Sequence, residues 1–195
     1  LRHISKTKAQ LAAYILEARQ PRVPCDDEFN YTFPDTLQIK KYTQVLDFYE
    51  NVRHYNDPYA EVLNIDIAGV PHIFAWGGIH GARRNYYGKG DYLLIDVASY
   101  YPALMIEYDY LSRNVRDPKK FKEIRDTRLQ YKEAGDDREA PLKIVINSTY
   151  GAMKDKYNGL YDPLQANNVC IGGQLLLLDL IEKLEPHVTL IQSNT

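Results

Sequence analysis

A chain of 195 residues, 45% of them hydrophobic, is bounded to one domain, or one large and one small, with ample apolar content for a core. The formal net charge of −2 is not that of a typical nucleic-acid-binding module and counts mildly against DNA, so the distribution of charge matters more than the sum. No apolar run approaches the roughly 18 residues of a membrane span. The stretch Leu1-Arg2-His3-Ile4-Ser5-Lys6 has no signal-peptide core, and Cys25 and Cys170 lack any C-x-x-C partner; a soluble intracellular protein with two reduced thiols is expected, with neither a zinc site nor a disulfide framework.

In chain order, Thr7, Lys8, Ala9 and Gln10 have the capping-box form, and Leu11, Ala12, Ile15 and Leu16 follow at helical spacing. They predict a helix over residues 7–19, ended by Pro21 and Pro24. A polar stretch follows to Pro34, after which Tyr42, Val45, Leu46 and Tyr49 mark an amphipathic helix to about Val52. From Glu61 the period changes: Val62, Leu63, Ile65 and Ile67, then Ile73, Phe74 and Trp76, predict two short strands around the Gly69-Val70-Pro71 turn, with residues 77–81 closing the second. Tyr92, Leu93, Leu94 and Ile95 read as an apolar strand ending at Asp96, and Pro102 opens a helix to about Tyr108. A basic helix is expected over residues 118–134, a turn over 135–139, and a further helix from Pro141, a favoured first-turn position. A helix over residues 168–184 carries four consecutive leucines, Leu175 to Leu178, read as packing under the sheet, and Val188, Thr189, Leu190 and Ile191 read as a strand.

Two segments carry the chemistry. Asp96-Val97-Ala98-Ser99-Tyr100-Tyr101-Pro102 puts one carboxylate at a strand end before a turn, where a divalent metal can sit beside a phosphate. Lys143, Asn147 and Tyr150 stand at i, i+4 and i+7 on one helix face, so an ammonium, an amide and a phenol point the same way, followed by Gly151. Between them, residues 113–132 hold eight cations against three anions, an electrostatic seat for a triphosphate or, more blandly, a solvated helix face. The 17 tyrosines include candidates for base stacking, although most should be packing residues.

At these residues the chain resembles the family B DNA polymerases. Their motif A reads D-x-x-S-L-Y-P, departed from here only at Tyr100, and their motif B reads K-x-x-x-N-S-x-Y-G, matched at every fixed position from Lys143 to Gly151. The resemblance implies an α+β fold: a polymerase palm with an antiparallel sheet backed by helices, plus a short helical-hairpin fingers subdomain. It divides the chain into a helical scaffold over residues 1–60, palm over 61–112, fingers over 113–152 and palm again over 153–195. The implied activity is template-dependent transfer of deoxynucleotides to a primer 3′-hydroxyl with two Mg²⁺ ions about 3.5 to 4 Å apart. The implied partners are primer-template DNA, deoxynucleoside triphosphates and the exonuclease and thumb domains of a longer parent chain, in the cytoplasm of a bacterial or phage-infected cell, with no membrane.

Carried over residue by residue, Asp96 is the catalytic metal ligand and the Val97 carbonyl an extra one. The Ser99 and Tyr100 amides hold triphosphate oxygens, and Tyr101 is the sugar gate whose ring collides with a ribose 2′-hydroxyl. Lys143 and Asn147 contact the nucleotide, with Arg128 and Lys132 as the partners of Lys143 and Arg125 a less certain third. Tyr150 and Gly151 contact the nascent base pair. Trp76, Gly77 and Gly78 resemble the Y-x-G-G segment that touches template, with Trp76 substituting for the tyrosine. The family's motif C, Y-x-D-T-D, is met by Gln192-Ser193-Asn194-Thr195, with Asn194 at the first Asp position and the second Asp absent, so the piece alone is expected to bind metal weakly and to be inactive. Ala68 stands where an exonuclease D-x-E pairing with Asp66 would need its second carboxylate, and the 47 positions from Asp96 to Lys143 leave no room for the insertion of the protein-primed subgroup. The alternative is a non-catalytic nucleic-acid-binding fragment or regulatory relative that kept the fold without its metals.

Overall fold

The capping box at Thr7 forms: its hydroxyl accepts from the Gln10 N–H at 3.2 Å, and the Gln10 side chain accepts from the Thr7 N–H at 2.9 Å. It opens α1 (Lys8–Ile15), which stops short of residue 19 because Glu17 takes a left-handed φ of 52° and Ala18 leaves to form a bridge with Val115. The computed structural model describes residues 6–195. Residues 1–5, where a signal-peptide core was not expected, lie outside the described residues.

In α2 (Thr43–Val52), Val45, Tyr49 and Val52 are buried on the predicted apolar stripe. The period-two segment forms β1 (Leu63–Ile67) and β2 (Val70–Ala75), antiparallel, joined through Ala68 and Gly69 at φ 53° and 72°. Two successive positive φ values match the right-handed twist of paired strands. The Gly-rich stretch expected only to close β2 instead makes a third strand, β3 (Gly78–Ala82), and β4 (Gln192–Asn194) pairs with it to give an antiparallel sheet in the order β1-β2-β3-β4. Small residues permit this. A Cβ on Gly81 would stand 2.3 Å from the His72 ring, and that ring crosses to Ser193, where its Nε2 meets the hydroxyl at 2.7 Å. The Val70 carbonyl can only accept, so His72 donates from Nδ1 at 2.7 Å and Nε2 accepts from Ser193.

Two expected strands are corrected. Residues 91–97 form no strand: Leu93 and Leu94 are 73% and 87% exposed, and Ile95 and Val97 are exposed too. A strand needs a partner for its N–H and C=O groups, and four apolar residues in a row do not say where that partner is. The other strand begins at Gln192, after residues 188–191, because its ladder is fixed by β3: Gly81 faces Ser193 and the Arg83 N–H donates to the Ile191 carbonyl at 2.9 Å.

The remaining helices are α3 (Tyr100–Glu107), α4 (Pro118–Glu133), α5 (Glu139–Lys154) and α6 (Pro163–Leu184), so the fold is α+β with six α-helices among the described residues. α5 begins at Glu139, slightly before Pro141, and α6 begins at Pro163 because the preceding Asp162 caps it. α6 is long and apolar enough to cross a bilayer, with mean hydropathy 1.2, but 72% of that window is buried in the fold, with Leu175 and Leu178 fully inside.

The chain divides into two compact units, each made from two separated segments: one holds residues through Tyr31 and Ala98–Val169, the other Thr32–Val97 and Cys170–Thr195. In the first, α5 packs against α1, α3 and α4 through Val145, Ile146, Thr149, Ala152 and Met153. Each fully buried aliphatic side chain there contributes about 1.5–3 kcal/mol. Burying that stripe leaves Lys143, Asn147 and Gly151 on the exposed side of the same helix. Arg113 locks the unit with two-pronged bonds to Asp27 (2.6 and 3.2 Å) and to Asp162 (2.8 and 3.0 Å). In the second unit, α6 holds the end of β2: Gln174 donates to the Ala75 carbonyl at 2.9 Å and accepts from the Tyr49 hydroxyl at 2.8 Å, and the Cys170 thiol meets the Trp76 carbonyl.

Candidate functional site

In the first unit the chain enters α3 through Ser99, which takes a left-handed conformation (φ 54°, ψ 55°) and gives its carbonyl to the Ala103 N–H at 2.8 Å. The turn aims the first-turn amides of Tyr100 and Tyr101 out of the helix end; Pro102, next in the turn, has no N–H to aim. Arg128 of α4 reaches this turn. Its guanidinium, only 5% exposed, hydrogen-bonds the Ser99 hydroxyl through Nη1 and the Glu139 carboxylate through Nε at 2.8 Å. Tyr101 lies edge-to-face with Tyr150 of α5, ring centroids 4.8 Å apart at 68°. Side chains of the two sequence motifs therefore touch within one unit. Tyr100 is packed, and burial pushes its hydroxyl well above the ordinary tyrosine range.

The i+4 neighbours of the Arg128–Glu139 pair are Lys132 on α4 and Lys143 on α5. Both are exposed, and neither makes an ion pair among the described residues; Asn147 is exposed on the same face of α5 as Lys143. A Cβ at Gly151 would meet nothing within 4 Å, so the fold itself does not demand glycine there, which leaves room for a ligand as the reason. Tyr150 lies further in, with the Lys154 ammonium 5.5 Å from its ring centre.

The basic run is less of a single field than its composition implies. Arg113 is spent on Asp27 and Asp162, Arg116 and Lys120 face Glu17, and Lys122 and Arg125 face Asp126. Their partners come from elsewhere in the fold and, for Lys122 and Arg125, from Asp126 on the same helix, so the local charge excess in sequence is largely cancelled in space.

In the second unit, Asp96 and Val97 are exposed and outside any strand, and Asn194 is exposed in β4. Trp76 does not offer a face to a template: it is 8% exposed, its indole N–H donates to the Pro58 carbonyl, and Tyr59 stacks edge-on at 4.8 Å. Gly78 is likewise accounted for by packing, since φ is 143° and a Cβ would stand 2.5 Å from the Thr195 hydroxyl. Gly77 is an exposed turn residue between β2 and β3.

A carboxylate and a carbonyl, from Asp96 and Val97, are the hard oxygen donors that Mg²⁺ takes, and Mg²⁺ uses one or two carboxylates with phosphates and waters for the rest, so this donor set fits one ion. Among the described residues no three His, Cys, Asp or Glu side chains are grouped as a metal cluster. The residue that sequence reasoning missed is Glu139. Its signal was present, since it precedes Lys143 by one helical turn on the same face, but its pairing with Arg128 depends on how α4 and α5 pack. No family model, curated protein or solved structure matches the chain.

Proposed function

We propose that this chain is the palm and fingers portion of a DNA-directed DNA polymerase of family B type. The carrying observation is that the Ser99 turn and Tyr101 meet Arg128 and Tyr150, residues drawn from an α3 entry and a helical hairpin far apart in sequence. Ser99, Tyr100 and Tyr101 present helix-end amides to an anion, and Lys132 and Lys143 add unpaired positive charge on the hairpin. The Tyr101 ring, held edge-on by Tyr150, is fixed enough to act as a wall under a sugar. Mg²⁺ held by Asp96 and the Val97 carbonyl would neutralise phosphate and favour the deprotonated 3′-hydroxyl.

The test is single-nucleotide extension by the intact chain that carries this sequence. Tyr101→Ala should lower deoxynucleotide incorporation modestly and raise ribonucleotide incorporation, each roughly 1.4 kcal/mol of relieved clash appearing as about a tenfold loss of selectivity. Asp96→Ala should abolish both. An unchanged deoxy-to-ribo ratio in Tyr101→Ala would make that ring a packing residue.

The second reading, a nucleic-acid-binding relative without catalysis, is favoured by the absence of a strand over residues 91–97. It predicts DNA binding with no incorporation by the intact chain at any Mg²⁺ concentration.

A further inference from the structure

After β3 the chain makes a loop, Arg83-Arg84-Asn85-Tyr86-Tyr87-Gly88-Lys89-Gly90, that holds three cations and no anion. Its entry is anchored: the Arg83 backbone N–H donates to the Ile191 carbonyl at 2.9 Å and its Nε to the Leu190 carbonyl at 2.6 Å. Its far end is closed by Tyr92, whose hydroxyl donates to the Gly88 carbonyl at 2.8 Å. The absence of a side chain at Gly88 leaves room for both rings, since a Cβ there would stand 2.8 Å from the Tyr86 hydroxyl and 3.3 Å from the Tyr92 hydroxyl. With two tyrosines used to close the loop, the third faces water: Tyr87 is 88% exposed. Arg84 and Lys89 flank it, both exposed and neither in an ion pair among the described residues.

We propose that this loop is a binding site for single-stranded nucleic acid, with Tyr87 as a stacking platform and Arg84 and Lys89 on the flanking phosphates. A flat, solvent-facing ring between two unpaired cations matches an alternating base and phosphate chain. The bases of a duplex are already stacked and closed to such a ring, which selects an unpaired strand. The exposed apolar residues Leu93 and Leu94 lie beyond the loop, whereas the loop itself carries three cations and no anion, which favours a polyanion at Tyr87 over a protein partner. The site does not rest on the polymerase reading, because it contains none of the residues assigned to nucleotide transfer.

The experiment is fluorescence anisotropy of labelled 12-nucleotide oligothymidine, oligouridine and a duplex with the full chain, without Mg²⁺ or nucleotide. Wild type should bind both single strands more tightly than duplex, and a clear preference between thymidine and uridine tells DNA from RNA as the ligand. Tyr87→Ala should weaken single-strand binding about tenfold. Arg84→Ala with Lys89→Ala should weaken it and flatten the slope of log K against log salt by about 1.4, as for two phosphates on a single strand. All three side chains are exposed, so an unchanged circular dichroism spectrum separates loss of binding from loss of fold. Wild-type affinity retained by Tyr87→Ala, duplex bound as well as single strand, or no binding by wild type would each overturn the proposal.

Discussion

Arg128 shows how much a single side chain's role depends on its partner. A guanidinium this buried cannot stand unpaired, and Glu139, at the N-terminal turn of α5 where the helix dipole favours a negative charge, supplies the counter-ion at 2.8 Å. On the proposed reading, a triphosphate arriving at Lys132 and Lys143 must compete with that carboxylate for Arg128. Glu139→Gln keeps an acceptor for the guanidinium and removes the competing charge. Equilibrium binding of a fluorescent deoxynucleoside triphosphate should therefore tighten about tenfold, the equivalent of roughly 1.4 kcal/mol. Weaker binding in Glu139→Gln would show instead that the carboxylate positions Arg128 for the ligand. The same residue scale explains Trp76: its sequence neighbourhood matches a template-contacting segment, while its indole is committed to Pro58 and Tyr59.

Among the elements, the sheet carries a built-in sensitivity to acid. His72 on β2 is 1% exposed and bridges the Val70 carbonyl and the Ser193 hydroxyl across β3. Burial lowers its pKa below the ordinary value of 6.5. The folded sheet therefore resists a proton that the unfolded chain accepts. The stability this gives is complete above about pH 6.5 and is lost progressively as the pH falls below that value towards the folded pKa. Urea unfolding followed by tryptophan fluorescence reports on this unit, where Trp76 packs, and should show a lower midpoint at pH 5.5 than at 7.5. In His72→Gln that pH dependence should shrink; an equal drop in both proteins would assign it to other groups. The helices behave differently, because their boundaries come from local devices such as the Thr7 capping box, which was legible in sequence where the partners of strands were not; the Asp162 cap, which starts α6 five residues before the expected 168, was not.

For the whole molecule, the informative fact is that both units are assembled from separated segments, so no cut at a single point yields an intact one. A fragment of residues 98–169 retains α3, α4 and α5 but loses α1 and the Asp27 half of the Arg113 clamp. Expressed alone it should give a poorly dispersed amide spectrum and no cooperative thermal transition, while adding a peptide of residues 6–31 should restore both; a well-dispersed spectrum for the fragment alone would show that α1 and Asp27 are dispensable. Sequence by itself determined four of the six helices nearly to their ends, the β1–β2 hairpin and the exposed face carrying Lys143 and Asn147, because hydrophobic period, caps and turn glycines act over a few residues. Only the tertiary structure decided that residues 91–97 lie outside the sheet, that β3 and β4 pair, that most of the basic run is neutralised and that Arg128 joins Ser99 to Glu139. Those outcomes are contacts between residues distant along the chain, and local sequence specifies what a side chain can bond to without specifying which partner the fold brings within reach.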